Sequence, residues 1–287
     1  MNVLVTGAGG QLGTDVVTEL TNRNVEHTGI DIDDLDITDT AATRSYLTQH
    51  RPKSVIHCAA YTAVDQAEDE PELCDKVNIN GTANIAKACR DIDAEMIYIS
   101  TDYVFDGSGS APYETGSPTG PISAYGKSKL AGEEAVLSFL EKNYIVRTSW
   151  VYGINGNNFV KAIISKAITE LELRVVNDQF GSPTYTPDLA VLLCDMALSG
   201  RYGIYHATNE GFCTWYDFAE EILRQCGSTI RINPVPSTAY PVKAKRPMYS
   251  ALSKKSLDLA GFNRLPQWQD ALARFITAGG FTAFFEL

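Results

Sequence analysis

A glycine-rich turn near the N-terminus constrains the fold of this 287-residue chain more than any other feature. Gly7, Gly10 and Gly13 give the spacing G-x-x-G-x-x-G between the apolar run Asn2–Thr6 and the helical pattern Gln11–Asn22. Small residues here let the backbone approach a pyrophosphate closely, and the start of the helix offers free N–H groups to that anion. Because the spacing differs from the commoner G-x-G-x-x-G, the interpretation depends on the strand–turn–helix context. The segment predicts a dinucleotide-binding turn, and a plain glycine turn is the alternative.

Short apolar runs alternate with helical patterns through the first half of the chain. Strands are predicted at Asn2–Thr6, Glu26–Asp31, Ser54–Ala60, Glu95–Thr101 and Tyr144–Trp150, and helices at Gln11–Asn22, Thr40–Gln49, Glu72–Asp91 and Ala124–Leu140. This alternation is typical of a parallel sheet with right-handed crossovers, and helices cover both faces of such a sheet. The sequence therefore predicts an α/β fold with a Rossmann-like, doubly wound parallel sheet.

The pattern loosens after Trp150. Helices are predicted at Phe159–Glu170, Thr186–Leu198, Thr214–Cys226 and Gln267–Thr277, and one strand at Gly203–Ala207. We predict a dinucleotide-binding domain over residues 1–150 and a smaller substrate-binding region over residues 151–287, which closes over the carboxyl edge of the sheet. Residues from about 186 to 210 are expected to return to the first domain. The apolar end, Gly279–Leu287, is expected to pack, to fray or to contact a partner.

Charge and cysteine content exclude several classes of protein. The formal net charge is −11 and the pI is about 4.8, whereas a general nucleic-acid binder needs a basic surface. The six cysteines are scattered without a Cys-x-x-Cys pair, so we predict reduced, buried thiols and neither a zinc site nor disulfides. No apolar run has the length of a membrane span, and the first residues lack the pattern of a signal peptide. We expect a cytoplasmic protein that binds neither nucleic acid nor membrane.

Asp31 stands at the end of the second predicted strand, 21 residues after Gly10. A carboxylate at this place accepts hydrogen bonds from the adenosine ribose of a dinucleotide and repels a 2′-phosphate. The residues that follow are Ile32, Asp33 and Asp34, without an Arg or Lys. The sequence therefore favours NADH over NADPH, and a surface aspartate at a strand end is the alternative interpretation.

Tyr125 and Lys129 lie four residues apart in a predicted helix and therefore share one face of it. We expect the Lys129 ammonium to lower the pKa of the Tyr125 phenol from about 10, so that Tyr125 exchanges a proton near neutral pH. A Tyr-x-x-x-Lys pair alone is common by chance, and its combination with the glycine turn is what indicates catalysis. Thr101, at the end of the fourth strand, is the candidate partner of a reacting carbonyl, because ligands bind at this edge of parallel sheets.

Segments spread over nearly the whole chain resemble the extended short-chain dehydrogenase/reductases that act on nucleotide-linked sugars. The segments that carry the resemblance are Thr6–Gly13, Cys58–Glu68, Ser100–Gly107, Tyr125 with Lys129, Arg147–Gly153, Gly156–Phe159, Asn177–Thr184, Thr214–Ala219 and Lys245–Pro247. Several of these lie outside the cofactor-binding part, so the resemblance extends beyond the fold to the substrate side.

The resemblance implies a role for each matching position. Thr101, Tyr125 and Lys129 would be the catalytic set. The cofactor would be bound by Gly7, Gly10, Gln11, Leu12, Gly13, Asp31, Ile32, Asp36, Ile37, Ala59, Ala60 and Tyr61, together with Tyr125 and Lys129. The sugar nucleotide would be bound by Asn78, Thr101, Asp102, Tyr103, Tyr125, Trp150, Asn157 and Arg246. Core packing is the alternative for Trp150, and a solvated loop cation is the alternative for Arg246.

The resemblance also implies a reaction, in which NADH or NADPH reduces the 4-keto group of dTDP-4-dehydro-L-rhamnose to give dTDP-L-rhamnose. Rival members of the family are 4-epimerases and 4,6-dehydratases, but the dehydratases carry Thr-Asp-Glu where this chain has Thr101-Asp102-Tyr103. A non-catalytic reading is also open, since a regulatory subunit of methionine adenosyltransferase has a similar sequence pattern.

Metal binding and assembly complete the expectations. Some members of the family are described as bridging a dimer through magnesium held by glutamates. This chain has Asp15 and Asp188 near plausible positions and no matching glutamate in its C-terminal segment. We therefore predict no bound metal, with magnesium dependence left to experiment, and an isologous homodimer as the default assembly.

Overall fold

A computed structural model describes residues 2–197 and 199–284 of the chain. The strands are β1 Val3–Thr6, β2 His27–Ile30, β3 Ser54–His57, β4 Glu95–Thr101, β5 Asn143–Thr148, β6 Val151–Tyr152, β7 Glu172–Val176, β8 Phe180–Gly181, β9 Thr184–Tyr185, β10 Gly203–His206, β11 Cys213–Thr214 and β12 Arg231–Val235. The helices are α1 Gln11–Asn22, α2 Thr40–His50, α3 Pro71–Asp75, α4 Thr82–Asp91, α5 Ala124–Phe139, α6 Phe159–Thr169, α7 Thr186–Met196, α8 Trp215–Cys226, α9 Lys255–Ala260 and α10 Trp268–Gly279. A π-helical turn, Lys76–Gly81, joins α3 to α4.

Six parallel strands form the central sheet, in the order β10-β5-β4-β3-β1-β2. In register, Thr6 lies beside both Ile30 and His57, and Thr101 lies beside Thr148. The carboxyl ends of these strands therefore meet at one edge. The order reverses between β1 and β3, where open α/β sheets bind ligands. The predicted α/β fold with a doubly wound parallel sheet is confirmed.

Both faces of the sheet are buried, because successive residues of a strand point to opposite sides. Val3 and Val5 pack on one face with α1 and α7, whereas Leu4 packs on the other with residues of α2 and α4. The strand Gly203–His206 pairs with β5, and α7 packs against α1, so residues after 150 contribute to this layer. The division of the chain into two domains stays a prediction.

The rest of the chain forms a second hydrophobic core around α6, α8 and α10. Three two-stranded pairings border it, β6 with β9, β7 with β12 and β8 with β11. The helices of this part match their sequence patterns within one or two residues, but α9 and the short strands were not predicted. A strand of two residues has no alternation to detect.

Near the C-terminus, an aromatic side chain packs against α10. Phe281 stacks on Phe275 with ring centroids 5.2 Å apart, and residues 285–287 of the predicted apolar end lie outside the described residues.

All six cysteines are free, with Cys58 partly buried and the other five buried. Within residues 2–197 and 199–284, no helix is both long and apolar enough to cross a membrane.

Candidate active site

A cleft of about 790 Å³ opens at the carboxyl ends of the central strands. Nearly all the residues predicted to bind cofactor or substrate line it. They are Gly7, Gly10, Gln11, Leu12, Gly13, Asp31, Ile32, Asp36, Ile37, Ala59, Ala60, Thr101, Asp102, Tyr103, Tyr125, Lys129, Trp150, Asn157 and Arg246. Tyr61 and Asn78 are not among the lining residues. The fold thus gathers into one space residues that are far apart in the sequence.

The glycine turn forms a cradle that a side chain would fill. Gly7 has a φ of 65°, and a Cβ on Gly13 would lie 2.0 Å from the Gly7 carbonyl oxygen. Gly10 caps α1 without a side-chain hydrogen bond, which leaves N–H groups of the first helical turn available to a bound anion. These residues fit the pyrophosphate of a dinucleotide.

Asp31 braces this turn from the end of β2. Its Oδ2 accepts a hydrogen bond from the Gly9 amide at 2.9 Å, and its Oδ1 accepts one from the Ile32 amide at 2.8 Å. Asp36, further along the cleft, accepts from the amide and hydroxyl of Thr38, and these hydrogen bonds hold the pKa of Asp36 below its usual range. Among the described residues that line the cleft, Lys129 and Arg246 are the two with cationic side chains.

The start of α5 positions Tyr125 and Lys129. Ser123 caps the helix by accepting a hydrogen bond from the Gly126 amide at 3.1 Å, so Tyr125 falls in the first turn and Lys129 one turn later. Tyr125 lines the cleft together with Thr101, whose side chain influences the pKa of the Tyr125 phenol. The Thr101 hydroxyl donates to Asp102 Oδ1 at 3.1 Å, at the point where β4 ends. The three predicted catalytic residues therefore meet at one place in the cleft.

The electrostatics of this group differ from the sequence prediction. Burial raises the pKa of Tyr125 well above its ordinary value, and the charges of Asp102 and Tyr103 add to the rise. Burial also lowers the pKa of Lys129 to about 7, although Glu133 opposes that change. Lys129 Nζ lies 4.1 Å from the centroid of the Tyr98 ring. The pKa of Tyr125 in the free protein is therefore raised and not lowered as expected, because burial of the phenol has the largest effect on it.

Asp102 and Tyr103 flank the catalytic group. Burial raises the pKa of Asp102 to about 6, and hydrogen bonds from Ser250 and Thr101 oppose that rise. The Tyr103 ring meets the Tyr125 ring edge-on, with centroids 5.7 Å apart. Tyr125 thus packs against an aromatic ring.

Asn78 lies behind the cleft, in the π-helical turn Lys76–Gly81. Its side chain accepts from the Tyr61 amide at 2.9 Å and donates to the Tyr61 carbonyl at 3.0 Å and to Ser128 Oγ at 2.9 Å. Ser128 Oγ in turn donates to the Tyr125 carbonyl at 2.8 Å. Asn78 and Tyr61 therefore connect the loop after β3 to the catalytic helix and do not line the cleft. The predicted helix Glu72–Asp91 is present as α3, this turn and α4 in direct succession, and the π-helical form of the turn is the part that the sequence pattern did not indicate.

Another part of the lining is aromatic. Trp150 stacks on Trp215 with ring centroids 3.6 Å apart and planes 12° apart, and Phe159 packs against Trp215 at 4.5 Å. Trp150 has a φ of 47°, a left-handed conformation that is uncommon for a bulky residue. Asn157, another predicted substrate-binding residue, is exposed at the rim of the cleft. The strained Trp150 backbone holds the indole flat against its neighbour.

Arg246 enters the cleft from the loop before α9. Its Nη1 and Nη2 donate to the two carboxylate oxygens of Asp65 at 3.1 and 2.7 Å. The Tyr103 side chain lies near enough for each residue to affect the pKa of the other. The guanidinium therefore connects the loop after β3 to the aromatic residues beside Tyr125.

Asp15 and Asp188, the two acidic residues considered for metal binding, are not among the residues that line the cleft. Asp188 accepts hydrogen bonds from Arg274 at 2.7 and 2.8 Å and from Asn209 at 2.8 Å. Asp15 is hydrogen-bonded to Thr186, and burial raises the pKa of its carboxyl. In the described part of the chain, no three His, Cys, Asp or Glu side chains are grouped as metal ligands would be. The expectation of no bound metal stays a prediction.

The geometry of the cleft agrees with the comparison of the chain to known families. A family model described as the RmlD substrate binding domain matches residues 1–280. The chain belongs to this family. Membership of the RmlD family also confirms the resemblance to extended short-chain dehydrogenase/reductases that the sequence segments indicated.

Individual members of the RmlD family are similar over almost the full length. A dTDP-4-dehydrorhamnose reductase of Streptomyces griseus is 46% identical over 96% of this chain and 93% of its own. The crystal structure of a dTDP-4-dehydrorhamnose reductase from Clostridium acetobutylicum is 43% identical, covers 97% of this chain and 99% of its own, and has a TM-score of 0.95. A Bacillus anthracis dTDP-4-dehydrorhamnose reductase in complex with NADP is 41% identical over 96% of this chain and 99% of its own, with a TM-score of 0.94.

Some residues of the RmlD-family cleft were missed by the sequence analysis. Trp215, Phe159, Thr62 and Ser149 line the cleft but were not among the predicted site residues. All four lie in segments that carried the family resemblance, so their positions offered a signal. They stand in loops or at element ends, where periodicity carries no information.

Proposed function

We propose that this protein reduces the 4-keto group of dTDP-4-dehydro-L-rhamnose to give dTDP-L-rhamnose, with NADH or NADPH as the hydride donor. The observation that carries the proposal is the meeting of Thr101, Tyr125 and Lys129 in one cleft with the glycine cradle. A nicotinamide cofactor carries the hydride chemistry, while the protein supplies orientation and electrostatics. The substrate assignment rests on the names of the full-length relatives.

Tyr125 is proposed to donate the proton that the reduced carbonyl oxygen needs. The raised pKa of its phenol keeps Tyr125 protonated at neutral pH, which suits an acid in the direction of reduction. Thr101 lines the cleft with Tyr125, and its hydroxyl is proposed to turn from Asp102 Oδ1 to the same carbonyl oxygen when substrate binds, which would hold that oxygen beside the phenol. Lys129 is proposed to bind the ribose next to the nicotinamide. When bound, the cofactor supplies the hydride to the sugar carbon.

The coenzyme preference is proposed to favour NADH. Asp31 lines the cleft beside the glycine turn and is followed by acidic residues, and a 2′-phosphate placed there would meet like charge. The relative from Bacillus anthracis was crystallised with NADP. The proposed preference therefore needs a direct comparison of both coenzymes on this protein.

A 4,6-dehydratase activity is disfavoured by one residue. Tyr103 occupies the place where those enzymes carry the glutamate of Thr-Asp-Glu, and its ring packs edge-on against Tyr125. Burial raises the pKa of Tyr103 well above its ordinary value, so the phenol is a poor base. This position supports a ketoreductase.

We also propose that the protein works in the cytoplasm as a homodimer, with a nucleotide sugar as its ligand and without nucleic acid. The formal net charge of −11 supports the last point, because binding to a phosphate backbone needs clustered cations. Light scattering would test the dimer.

A coupled assay tests the proposed reaction. The 4-keto-6-deoxy sugar nucleotide would be generated enzymatically, with and without the 3,5-epimerase, and the absorbance of NADH or NADPH followed after adding this protein. We expect oxidation that depends on the epimerised sugar and gives dTDP-L-rhamnose. Oxidation without the epimerase would indicate a different ketosugar. Binding of either coenzyme without oxidation would favour a regulatory subunit.

A further inference from the structure

We propose that Asp65 is a positioning residue, which holds the Arg246 guanidinium in the orientation that meets the diphosphate of the substrate. The inference rests on the proposed function in one respect, namely that the substrate is a nucleoside diphosphate sugar. Asp65 itself does not line the cleft, whereas Arg246 does. The residue would therefore act on substrate binding through its partner.

The contact between the two side chains is a bidentate pair. Both carboxylate oxygens of Asp65 accept from the two terminal nitrogens of Arg246, at 3.1 and 2.7 Å. A planar guanidinium held by two parallel hydrogen bonds is fixed in direction as well as in place. The hydrogen bond with Arg246 also holds the pKa of Asp65 below its usual range, so the carboxylate stays ionised.

The loop that carries Arg246 is fastened by the same carboxylate. The Ala244 amide donates to Asp65 Oδ1 at 3.1 Å, and Arg246 Nη1 donates to the Ala244 carbonyl at 3.3 Å. Ala244 is fully buried. Asp65 thus fixes both the backbone of residues 244–246 and the end of the arginine side chain, at a distance of 181 residues along the chain.

The position of Arg246 links this fastening to the reacting group. Arg246 and Tyr103 both line the cleft and each affects the pKa of the other, and the Tyr103 ring meets Tyr125 edge-on. Lys129, which follows Tyr125 by one turn on α5, is the other residue with a cationic side chain among the described lining residues. A diphosphate entering a chain of net charge −11 therefore depends on Arg246 for its counter-charge outside the catalytic group.

The physical advantage is preorganisation. A free arginine on a loop would lose rotamer freedom when it binds a phosphate, and that loss weakens the affinity. The pair with Asp65 restricts the side chain before the substrate arrives. Because the pair is partly exposed, its own contribution to folding stability is small, and its removal is expected to leave the fold intact.

The test compares Asp65→Asn with a matched control, Asp69→Asn. Asp69 pairs with Lys243 in the same loop, but both side chains are more than half exposed and neither lines the cleft. We expect Asp65→Asn to raise the Kd for dTDP in calorimetry, and the KM for the ketosugar, by about tenfold. The Kd for NADH should stay unchanged, kcat should fall less than KM rises, and Asp69→Asn should behave as the wild type. Asp65→Glu, which keeps the charge, should recover part of the loss.

Three results would overturn the role of Asp65. One is equal dTDP binding by Asp65→Asn and Asp69→Asn. Another is tighter dTDP binding by Asp65→Asn, which would mean that the carboxylate competes with the phosphate for Arg246. The third is a loss confined to kcat. A wild-type protein that binds dTDP but does not reduce the ketosugar would refute the proposed reaction alone, since the dTDP comparison still tests Asp65. Failure of the wild type to bind dTDP would overturn both proposals.

Discussion

Two parts of the cleft lining are built in different ways. The glycine-loop wall, formed by residues 6–13 with Asp31, is mainly backbone that follows regular strands and opens a regular helix. The aromatic wall, formed by Trp150, Phe159 and Trp215 with Arg246, is made of side chains from loops and the starts of helices. One wall depends on the absence of side chains, and the other depends on their packing against each other. A substitution in the glycine-loop wall should therefore weaken binding of NADH and leave binding of the nucleotide sugar largely unaffected. A substitution in the aromatic wall should do the reverse.

Tyr125 belongs to neither wall, so the loss of its hydroxyl should separate catalysis from ligand binding most sharply. Tyr125→Phe removes the proposed proton donor and keeps the ring that packs against Tyr103. We expect turnover to fall by about 10²- to 10⁴-fold, the range for general acid catalysis, while NADH and dTDP still bind. Steady-state kinetics and titration calorimetry would measure this. Turnover near that of the wild type would remove Tyr125 from the proposed role.

A single methyl group added to the glycine-loop wall should weaken NADH binding. Gly13→Ala places a Cβ 2.0 Å from the Gly7 carbonyl oxygen, so the turn has to shift. We expect the Kd for NADH to rise by at least about tenfold, because the backbone N–H groups move away from the pyrophosphate. Gly116→Ala is the matched control, since no atom lies within 4 Å of its added Cβ. Equal NADH binding by both variants would show that the cradle is not the binding element.

A substitution in the aromatic wall should weaken binding of the ketosugar and not that of NADH. Trp215→Ala removes the ring that stacks on Trp150, and with it an interaction of about 0.5–1.5 kcal/mol beyond area burial. We expect the KM for the ketosugar to rise severalfold with an unchanged Kd for NADH. Phe212→Ala, at a ring that is 57% exposed, serves as the control. A parallel loss of NADH affinity in Trp215→Ala would show that the two walls are coupled.

The smallest expected effect is the pH dependence of NADH binding through Lys129. Because burial lowers the pKa of Lys129 to about 7, the ammonium loses its proton as the pH rises through that value. Affinity for NADH should therefore decrease a fewfold as the pH rises from about 6 to about 8. Fluorescence titration of NADH would follow it, and Lys129→Met should have a flatter profile. An affinity that rises with pH would contradict the proposed contact of Lys129 with the ribose.

The two walls also differ in how far the sequence predicted them. The bounds of α1 and β4 agree with their patterns, Gln11–Asn22 and Glu95–Thr101, and the glycine spacing marked the turn between β1 and α1. By contrast, Trp215 was overlooked, and Asn78 was expected at the substrate but lies behind the catalytic helix. Asn78 lies in the π-helical turn Lys76–Gly81 and bonds to the Tyr61 backbone and to Ser128. These partners are 17 and 50 residues away along the chain, so no local pattern indicates them.

The sequence by itself determined the order of strands and helices, the place of the phosphate turn and the sharing of one helical face by Tyr125 and Lys129. These follow from short-range periodicity and from the size of glycine, which act between neighbouring residues. The tertiary structure decided the rest. The pKa of Tyr125 rises because packing removes its ring from water, and Arg246 is fixed because the fold brings it to Asp65 from 181 residues away. Burial and long-range pairing are properties of the folded chain, and no local pattern encodes their balance.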